Sequence, residues 1–164
     1  MIQAHSLYEG SFSVDASKVF VPFDPKKDDP KDRPASLFVH VRPFLVETKA
    51  GLVVIDEGLG ERTANSELLI RHNIKALGFD PSDVRYVLMS HLHKDHMGGT
   101  VDMQDGSTRI AFPNAEYVVQ EKEWENAYST DSASYRTELF QALQRSGNLL
   151  LVDGDGDLND EISY

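Results

Sequence analysis

The sequence predicts one domain of mixed α and β structure, an α+β fold that spans residues 1–164. Short apolar runs are bounded by glycine, proline and acidic turn residues, which is typical of buried strands. Between these runs, apolar residues recur at three- and four-residue intervals, as they do on one face of a helix. The hydrophobic content of 40% is globular and allows a sizeable core.

The first 47 residues are predicted to form strands around a charged loop. Residues 2–20 alternate weakly around a glycine, which favours a hairpin. Residues 21–34 hold four prolines among mostly charged residues and predict a loop, either a solvated linker or an arm that covers a site or docks a partner. Residues 36–47 alternate between apolar and polar and predict one strand.

The central residues predict two buried strands with a helix between them. Residues 52–55 are a short apolar run bounded by glycine and aspartate, which indicates a buried strand. Residues 63–77 show helical spacing, and Gly78 is placed to cap the helix. Residues 84–89 predict the next buried strand, which ends at Ser90.

The last third of the chain is expected to alternate between short strands and helices. The predicted elements are a loop at 98–108, a strand at 116–120, helices at 121–128 and 136–145, a strand at 149–152 and an exposed acidic turn at 153–157.

Charge and composition exclude several classes of partner. A net charge of −11 disfavours binding to nucleic acid or to anionic membranes, because phosphate contacts need clustered Lys and Arg. No apolar stretch is long enough to cross a bilayer, and the N-terminus lacks the pattern of a signal peptide. The absence of Cys excludes disulfides and thiolate metal sites. We expect a cytoplasmic protein.

The strongest functional signal is a cluster of His and Asp directly after the strand at 84–89. His91, His93, Asp95 and His96 lie within six residues, and imidazole and carboxylate are ligands for zinc, iron or manganese. In a tight turn after a strand, residues two apart can point the same way, so His91 and His93 could bind one metal. Asp95 and His96 would then face a neighbouring position. Two metals about 3.5–4 Å apart can share a water and lower its pKa, and Asp95 could orient the resulting hydroxide.

These residues resemble the His-x-His-x-Asp-His signature of the metallo-β-lactamase superfamily. Residues 52–58 are similar to the upstream strand of that superfamily, which ends in Asp and Gly, and residues 81–90 are similar to the segment that leads into its motif. The similarity extends from about residue 37 to residue 152. It is greatest to the lactonase branch, and glyoxalase II and the persulfide dioxygenases are also similar.

The resemblance implies a four-layer αββα sandwich of two similar halves, of which this chain covers about the N-terminal half. It implies two divalent metals, with zinc expected and iron or manganese as alternatives. His91 and His93 would bind the first metal, and Asp95 and His96 would bind the second. It further implies that Asp95 is catalytic and that Asp56 supports the ligands, although Asp56 could equally be a simple turn residue at a strand end.

The superfamily completes its site with a later His, a bridging Asp and a final His, which cannot be placed after His96. We therefore expect a longer natural protein, with the missing C-terminal half in the same or another chain. One half alone would expose a sheet face that the other covers. By itself, the chain of 164 residues is expected to show little turnover, since a stable zinc site takes three or four protein ligands.

The leading functional hypothesis is a hydrolase that uses a metal-bound hydroxide to cleave an ester-like bond in a small molecule, either a lactone or a thioester. One alternative is a mono-iron dioxygenase that acts on a thiol-derived substrate, because only the first metal site need then be filled. The other is an inactive fragment or binding module. A homodimer is left open.

Overall fold

The computed structural model describes residues 2–104 and 107–164. Its first strands are β1 (Gln3–Ser6), β2 (Gly10–Val14), β3 (Phe20–Pro22), β4 (Leu37–Val41), β5 (Phe44–Thr48) and β6 (Gly51–Ile55). The elements that follow are α1 (Leu69–Ala76), β7 (Val84–Leu88), α2 (Lys94–Met97), β8 (Val101–Gln104), β9 (Ser107–Ile110), β10 (Glu116–Gln120), α3 (Glu121–Ser129), α4 (Thr137–Ser146), β11 (Leu149–Val152), β12 (Asp157–Asn159) and β13 (Ile162–Ser163). The predicted mixture of strands and helices is confirmed.

The largest sheet has the strand order β1-β5-β6-β7-β10-β11. Strand β5 runs antiparallel to β1 and β6, whereas β6, β7, β10 and β11 run parallel to one another. The parallel strands are largely apolar, as expected for strands that are covered on both faces. Their carboxyl ends therefore meet at one edge of the sheet.

Helices α1, α3 and α4 pack against one face of this sheet. Ile70 and Ile74 of α1 and Phe140 of α4 are fully buried in the same apolar cluster as Val54 and Val87 of the sheet. Burial of each such side chain contributes about 2 kcal/mol. The periodicity of the sequence thus identified the apolar faces that anchor these helices.

Helix α1 is shorter than predicted. It begins at Leu69 and not at residue 63, because the preceding residues form a turn in which Arg62 pairs with Leu68. Gly78 has a φ of +90°, as predicted for a glycine cap after a helix.

The opposite face of the sheet carries a second apolar row. Val53 and Val118 are buried there, while Ile55 and Leu88 are half-buried and Phe44 is 42% exposed. A cavity of about 210 Å³ lies between this row and the C-terminal residues of the chain, including Tyr164.

The predicted N-terminal hairpin is correct only in part, because β2 and β3 pair as a local antiparallel hairpin but β1 and β2, which begins at Gly10, lie in different sheets. Strand β1 pairs with β5, and β2 pairs with β4 and β3, so the N-terminal segment runs antiparallel to residues 37–47. Between these pairings, the Leu7 amide donates to the Pro43 carbonyl and the Glu9 amide donates to the Val41 carbonyl. The residues that pair with β1 in β5 and with β2 in β4 lie 23 to 44 positions away and leave no local turn signal, which explains why these pairings were not predicted.

The single strand predicted at 36–47 is also wrong, because Arg42 and Pro43 divide it into β4 and β5. Pro43 has no amide hydrogen to donate to the ladder. Residues 7–9 stand opposite only these two residues, and unequal counts of this kind bend a strand pair. The bend carries both chains from the large sheet into the sheet of order β3-β2-β4.

Two loop predictions had different outcomes. Residues 23–34 lie outside strands, with a 3₁₀ turn at Pro30–Asp32 capped by Asp29, although β3 takes the first residues of the predicted loop. The loop predicted at 98–108 is wrong for residues 101–104 and 107–108, because β8 and β9 pair there as antiparallel strands, whereas residues 98–100 form a 3₁₀ turn. Residues 105 and 106 of that prediction lie outside the described residues.

The remaining strands and helices agree with the sequence to within one or two residues. These are β6, β7, β10, α3, α4 and β11. Among the described residues, no helix combines the length and the apolar character needed to cross a bilayer.

Candidate metal centre

The predicted ligands lie at the carboxyl edge of the parallel strands. Asp56 directly follows β6, and His91 lies three residues beyond the end of β7. In open sheets with parallel strands, ligands bind at this edge. The fold therefore brings together two segments that are more than 30 residues apart in the sequence.

Asp56 lies at the centre of a hydrogen-bond network. Its Oδ1 accepts from the Ser90 amide at 2.8 Å, and its Oδ2 accepts from Ser90 Oγ and from His96 Nδ1, both at 2.8 Å. The residue has a φ of +57°, a conformation that Asp and Asn adopt more readily than most side chains. Asp56 is thus more than a turn residue, because it fixes groups that belong to the motif.

Ser90 extends this network to a second histidine. Its single hydroxyl proton is donated to Asp56, so Ser90 Oγ accepts from His91 Nδ1 at 3.1 Å. With Nδ1 of both His91 and His96 acting as a donor, Nε2 of each ring is the nitrogen left for a metal. Metal-binding histidines are commonly oriented in this way by a carboxylate on the other ring nitrogen.

Asp95 and His96 form one pair of potential ligands. His96 Nε2 lies 3.4 Å from Asp95 Oδ2. Two ligand atoms that each lie about 2.1 Å from a tetrahedral zinc ion are about 3.4 Å apart. This spacing therefore fits a shared metal.

His91 and His93 form the other pair. Leu92 between them is fully buried while both imidazoles remain partly exposed, so the two rings emerge on the same side. The ring centroid of His91 lies 4.6 Å from that of His93 and 3.9 Å from that of His96. Three imidazoles and one carboxylate thus lie close together at this edge of the sheet.

The described residues supply these ligands as two pairs. Within residues 2–104 and 107–164, no set of three or more His, Asp or Glu side chains is arranged around one metal position. In this arrangement, His96 forms contacts with Asp56 and Asp95 on either side of its ring.

The electrostatics of the centre follow from these contacts. Burial opposes a charge on His96, but hydrogen bonds to Asp56 and Asp95 outweigh it and raise the pKa of the imidazole to about 9. Burial alone would raise the pKa of Asp95, but the hydrogen bond and the positive charge of His96 outweigh burial and lower this pKa below its usual value. Burial and the neighbouring imidazoles lower the pKa of His91, which favours its neutral form. A metal at His96 Nε2 would take the place of a proton.

Two supporting residues had no signal in the sequence. Glu123 of α3 accepts a hydrogen bond from the Leu92 amide at 2.9 Å and so fixes the backbone between the two histidines. Tyr135 packs edge-on against His93 with a centroid separation of 4.9 Å. This position places the Tyr135 ring at the edge of the metal centre.

Backbone contacts join the motif to the loop after β6. The Gly98 amide donates to the Gly58 carbonyl at 2.7 Å, and the Glu57 amide donates to the His96 carbonyl at 2.5 Å. A Cβ atom at Gly98 would overlap the backbone of Leu59. Only glycine therefore permits this approach.

Two buried acids next to this loop were missed by the sequence analysis. Glu57 is fully buried and accepts hydrogen bonds from Thr100 Oγ1 and the Tyr117 hydroxyl, yet burial raises its pKa to about 8. Glu9 is 7% exposed and accepts from the amides of Leu59 and Glu61. Burial raises the pKa of Glu9 to about 7 against these hydrogen bonds.

We predict that Glu9 makes folding less favourable as the pH rises. The folded state keeps the Glu9 proton up to about pH 7, whereas the unfolded chain releases it near pH 4.5. The free energy of unfolding should therefore fall between pH 4.5 and about 8, by about 3 kcal/mol from this group. Glu57 and Glu61 are the acids that face Glu9, and Glu57, whose pKa is also raised by burial, acts in the same direction.

Urea denaturation of the wild type and of Glu9→Gln across this pH range measures the contribution, because the other groups cancel in the difference. The variant should lose stability less steeply with pH. Parallel curves for the two proteins would show that Glu9 titrates normally.

Comparison with known proteins decides the family. The family model described as Metallo-beta-lactamase superfamily matches residues 38–157. This chain belongs to the metallo-β-lactamase superfamily. The matched region includes Asp56 and the four candidate ligands, His91, His93, Asp95 and His96.

Curated proteins that resemble this chain include lactonases. The N-acyl homoserine lactonase AttM of Agrobacterium fabrum is 50% identical over 58 residues, which are 35% of this chain and 19% of that protein. An N-acyl homoserine lactonase of Bacillus cereus is 27% identical over 132 residues, covering 68% of this chain and 47% of that protein. The chain spans less than half the length of either relative.

Solved structures of the superfamily confirm the fold. A probable metal-dependent hydrolase from Staphylococcus aureus matches with a TM-score of 0.68 at 24% identity, over 99% of this chain and 62% of that protein. The dizinc quorum-quenching lactonase AidC matches with a TM-score of 0.63 at 22% identity, over 96% of this chain and 60% of that protein.

Proposed function

We propose that the protein containing this chain is a metal-dependent hydrolase that opens lactones, with N-acyl homoserine lactones as the first substrates to test. The observation that carries the proposal is the pair of hydrogen bonds that leaves Nε2 of both His91 and His96 as potential ligands. The lactonase names of the curated relatives support the choice of bond.

The chain's own residues would hold two divalent metals, with zinc expected because AidC is a dizinc lactonase. His91 and His93 would bind one metal, and Asp95 and His96 the other. Bound metals of this kind polarise a carbonyl and lower the pKa of water. The second oxygen of Asp95 can accept a hydrogen bond from the attacking water and orient it towards the lactone carbonyl.

A small cavity beside the Asp95–His96 pair supports a small-molecule substrate. It has a volume of about 150 Å³ and lies between these two residues and strand β4, with Val39 and Val41 in its lining. His40 and Arg42 also line the cavity, so apolar and polar groups both lie next to the centre, which suits a substrate with an apolar chain beside its reacting ester.

The remainder of the protein would complete both the metal sites and the fold. Each pair of side chains supplies two ligands, whereas a catalytic zinc site usually takes three from protein. The second face of the sheet, which includes the exposed Phe44, is the surface that a second half would cover. On this account the present residues form one half of a single domain.

The test uses the full-length protein. Elemental analysis should find close to two equivalents of zinc, and hydrolysis of N-hexanoyl homoserine lactone should be lost on chelation and return with added zinc. A protein that hydrolyses the lactone without bound metal would refute the proposal. One equivalent of iron, with oxygen consumed on a thiol-derived substrate, would establish the dioxygenase alternative instead.

A further inference from the structure

Glu9 is a buried acid without a cationic partner among the described residues. It lies between β1 and β2, and its carboxylate points towards the loop of residues 57–61. No Lys, Arg or His in the described part of the chain lies within ion-pair distance of it. Acids are rarely buried in this way unless hydrogen bonds replace water around them.

Backbone amides of the loop provide those hydrogen bonds. Glu9 Oε2 accepts from the Leu59 amide at 2.6 Å, and Oε1 accepts from the Glu61 amide at 3.1 Å. Gly58 and Gly60 have φ values of +70° and +79°, and a Cβ atom at Gly58 would overlap the Glu9 carboxylate. The loop is thus curved around this side chain.

The other side of the same loop touches the metal-binding motif. Gly58 accepts from the Gly98 amide, and the Glu57 amide donates to the His96 carbonyl. A Cβ atom at Gly60 would overlap the Gly98 carbonyl. The loop therefore lies between Glu9 and the backbone that carries His96, in direct contact with both.

We propose that Glu9 is a positioning residue for the metal centre, an inference that rests on the proposed function. Its carboxylate holds the loop of residues 57–61 in place through two hydrogen bonds. Through its own backbone contacts, that loop holds the position and orientation of the turn that carries Asp95 and His96. Glu9 does not reach a metal or a substrate itself, so its effect must pass through the backbone contacts at Gly58 and Gly98.

The inference predicts that Glu9→Gln weakens metal binding. The amide nitrogen of Gln cannot accept a hydrogen bond, so one of the two loop amides loses its partner. Changes to groups that support metal ligands cost tenfold or more in metal affinity. We expect the zinc dissociation constant of the full-length variant at pH 8 to rise about tenfold.

The matched control is Glu47→Gln. Glu47 accepts a hydrogen bond from His5 at the opposite end of the sheet from the metal centre. The readouts are zinc affinity by competition with a chelator, the visible absorption spectrum of the Co²⁺-loaded protein and the melting temperature. A distorted ligand set changes the Co²⁺ spectrum, whereas a loss of general stability does not.

The expected result is weaker zinc binding and an altered Co²⁺ spectrum for Glu9→Gln, with neither change for Glu47→Gln. If Glu9→Gln does not fold, Glu9→Asp, which shortens the side chain by one CH₂, should show the same two changes. Wild-type affinity and spectrum in either folded Glu9 variant would overturn the inference, as would equal losses in the control. A wild-type protein that binds no metal would instead refute the proposed function.

Discussion

Replacing His96 with alanine in the full-length protein should lower kcat/KM for lactone hydrolysis by about a thousandfold, which corresponds to about 4 kcal/mol of transition-state stabilisation. His96 Nε2 and Asp95 Oδ2, 3.4 Å apart, are the pair proposed to share a metal. Without the imidazole, Asp95 alone should not retain that metal. Zinc content should therefore fall from near two equivalents to near one.

His72→Ala is the matched control for this substitution. His72 is an exposed histidine of α1 whose side chain lies near Glu67, away from the metal centre. The His72→Ala substitution should leave both the zinc content and the activity of the full-length protein unchanged. An activity within tenfold of wild type for His96→Ala would show that the second metal position is not needed for catalysis.

Asp56→Asn should lower kcat/KM and zinc affinity by about 10- to 100-fold. The Asp56 carboxylate accepts hydrogen bonds from Ser90 Oγ and His96 Nδ1. An amide offers one acceptor atom in place of two. With the amide oxygen at the Oδ2 position the Ser90 amide loses its acceptor, and with the amide nitrogen there both Ser90 Oγ and His96 Nδ1 lose theirs. Through Ser90 the change also reaches His91, and both ligand pairs should be disturbed.

Asparagine is the informative substitution because it also tolerates the positive φ of Asp56. The melting temperature of Asp56→Asn should therefore stay close to that of the wild type. Asp56→Ala adds backbone strain and should lower both the melting temperature and the activity. Unchanged zinc affinity in Asp56→Asn would mean that the carboxylate only shapes the turn.

The parts of the fold that sequence could predict are those with local causes. The apolar run at 52–55 and the spacing of Ile70 and Ile74 each depend on neighbours within a few residues, and both predictions are confirmed. The pairing of β1 with β5 has no such local cause. Strand pairs are chosen by burial across the whole sheet, and residues 2–20 fit a hairpin equally well.

The metal-binding motif is visible in the sequence because its ligands are adjacent, whereas the groups that orient them are dispersed. Glu123 and Tyr135 come from later segments, and Glu9 comes from the N-terminal strands. The local sequence around an acid or a tyrosine does not indicate which distant amide or imidazole it contacts in the fold. A single sequence therefore identifies the ligands more readily than their supports.

The loop of residues 57–61 connects the metal-binding motif to one of its dispersed supports, Glu9. Its glycines allow two close approaches, to Glu9 on one side and to Gly98 on the other. A side chain at Gly60 or at Gly98 would therefore prevent the close contact between the loop and the motif. Substitution of either glycine should disturb the same centre.

The most direct test of this account is a crystal structure of the full-length protein grown with zinc, with anomalous scattering recorded at the zinc edge. We expect one zinc peak about 2.0–2.2 Å from a carboxylate oxygen of Asp95 and from His96 Nε2. A second zinc peak should lie at the same distance from one ring nitrogen each of His91 and His93. Zinc peaks elsewhere, with these four side chains free of metal, would contradict it.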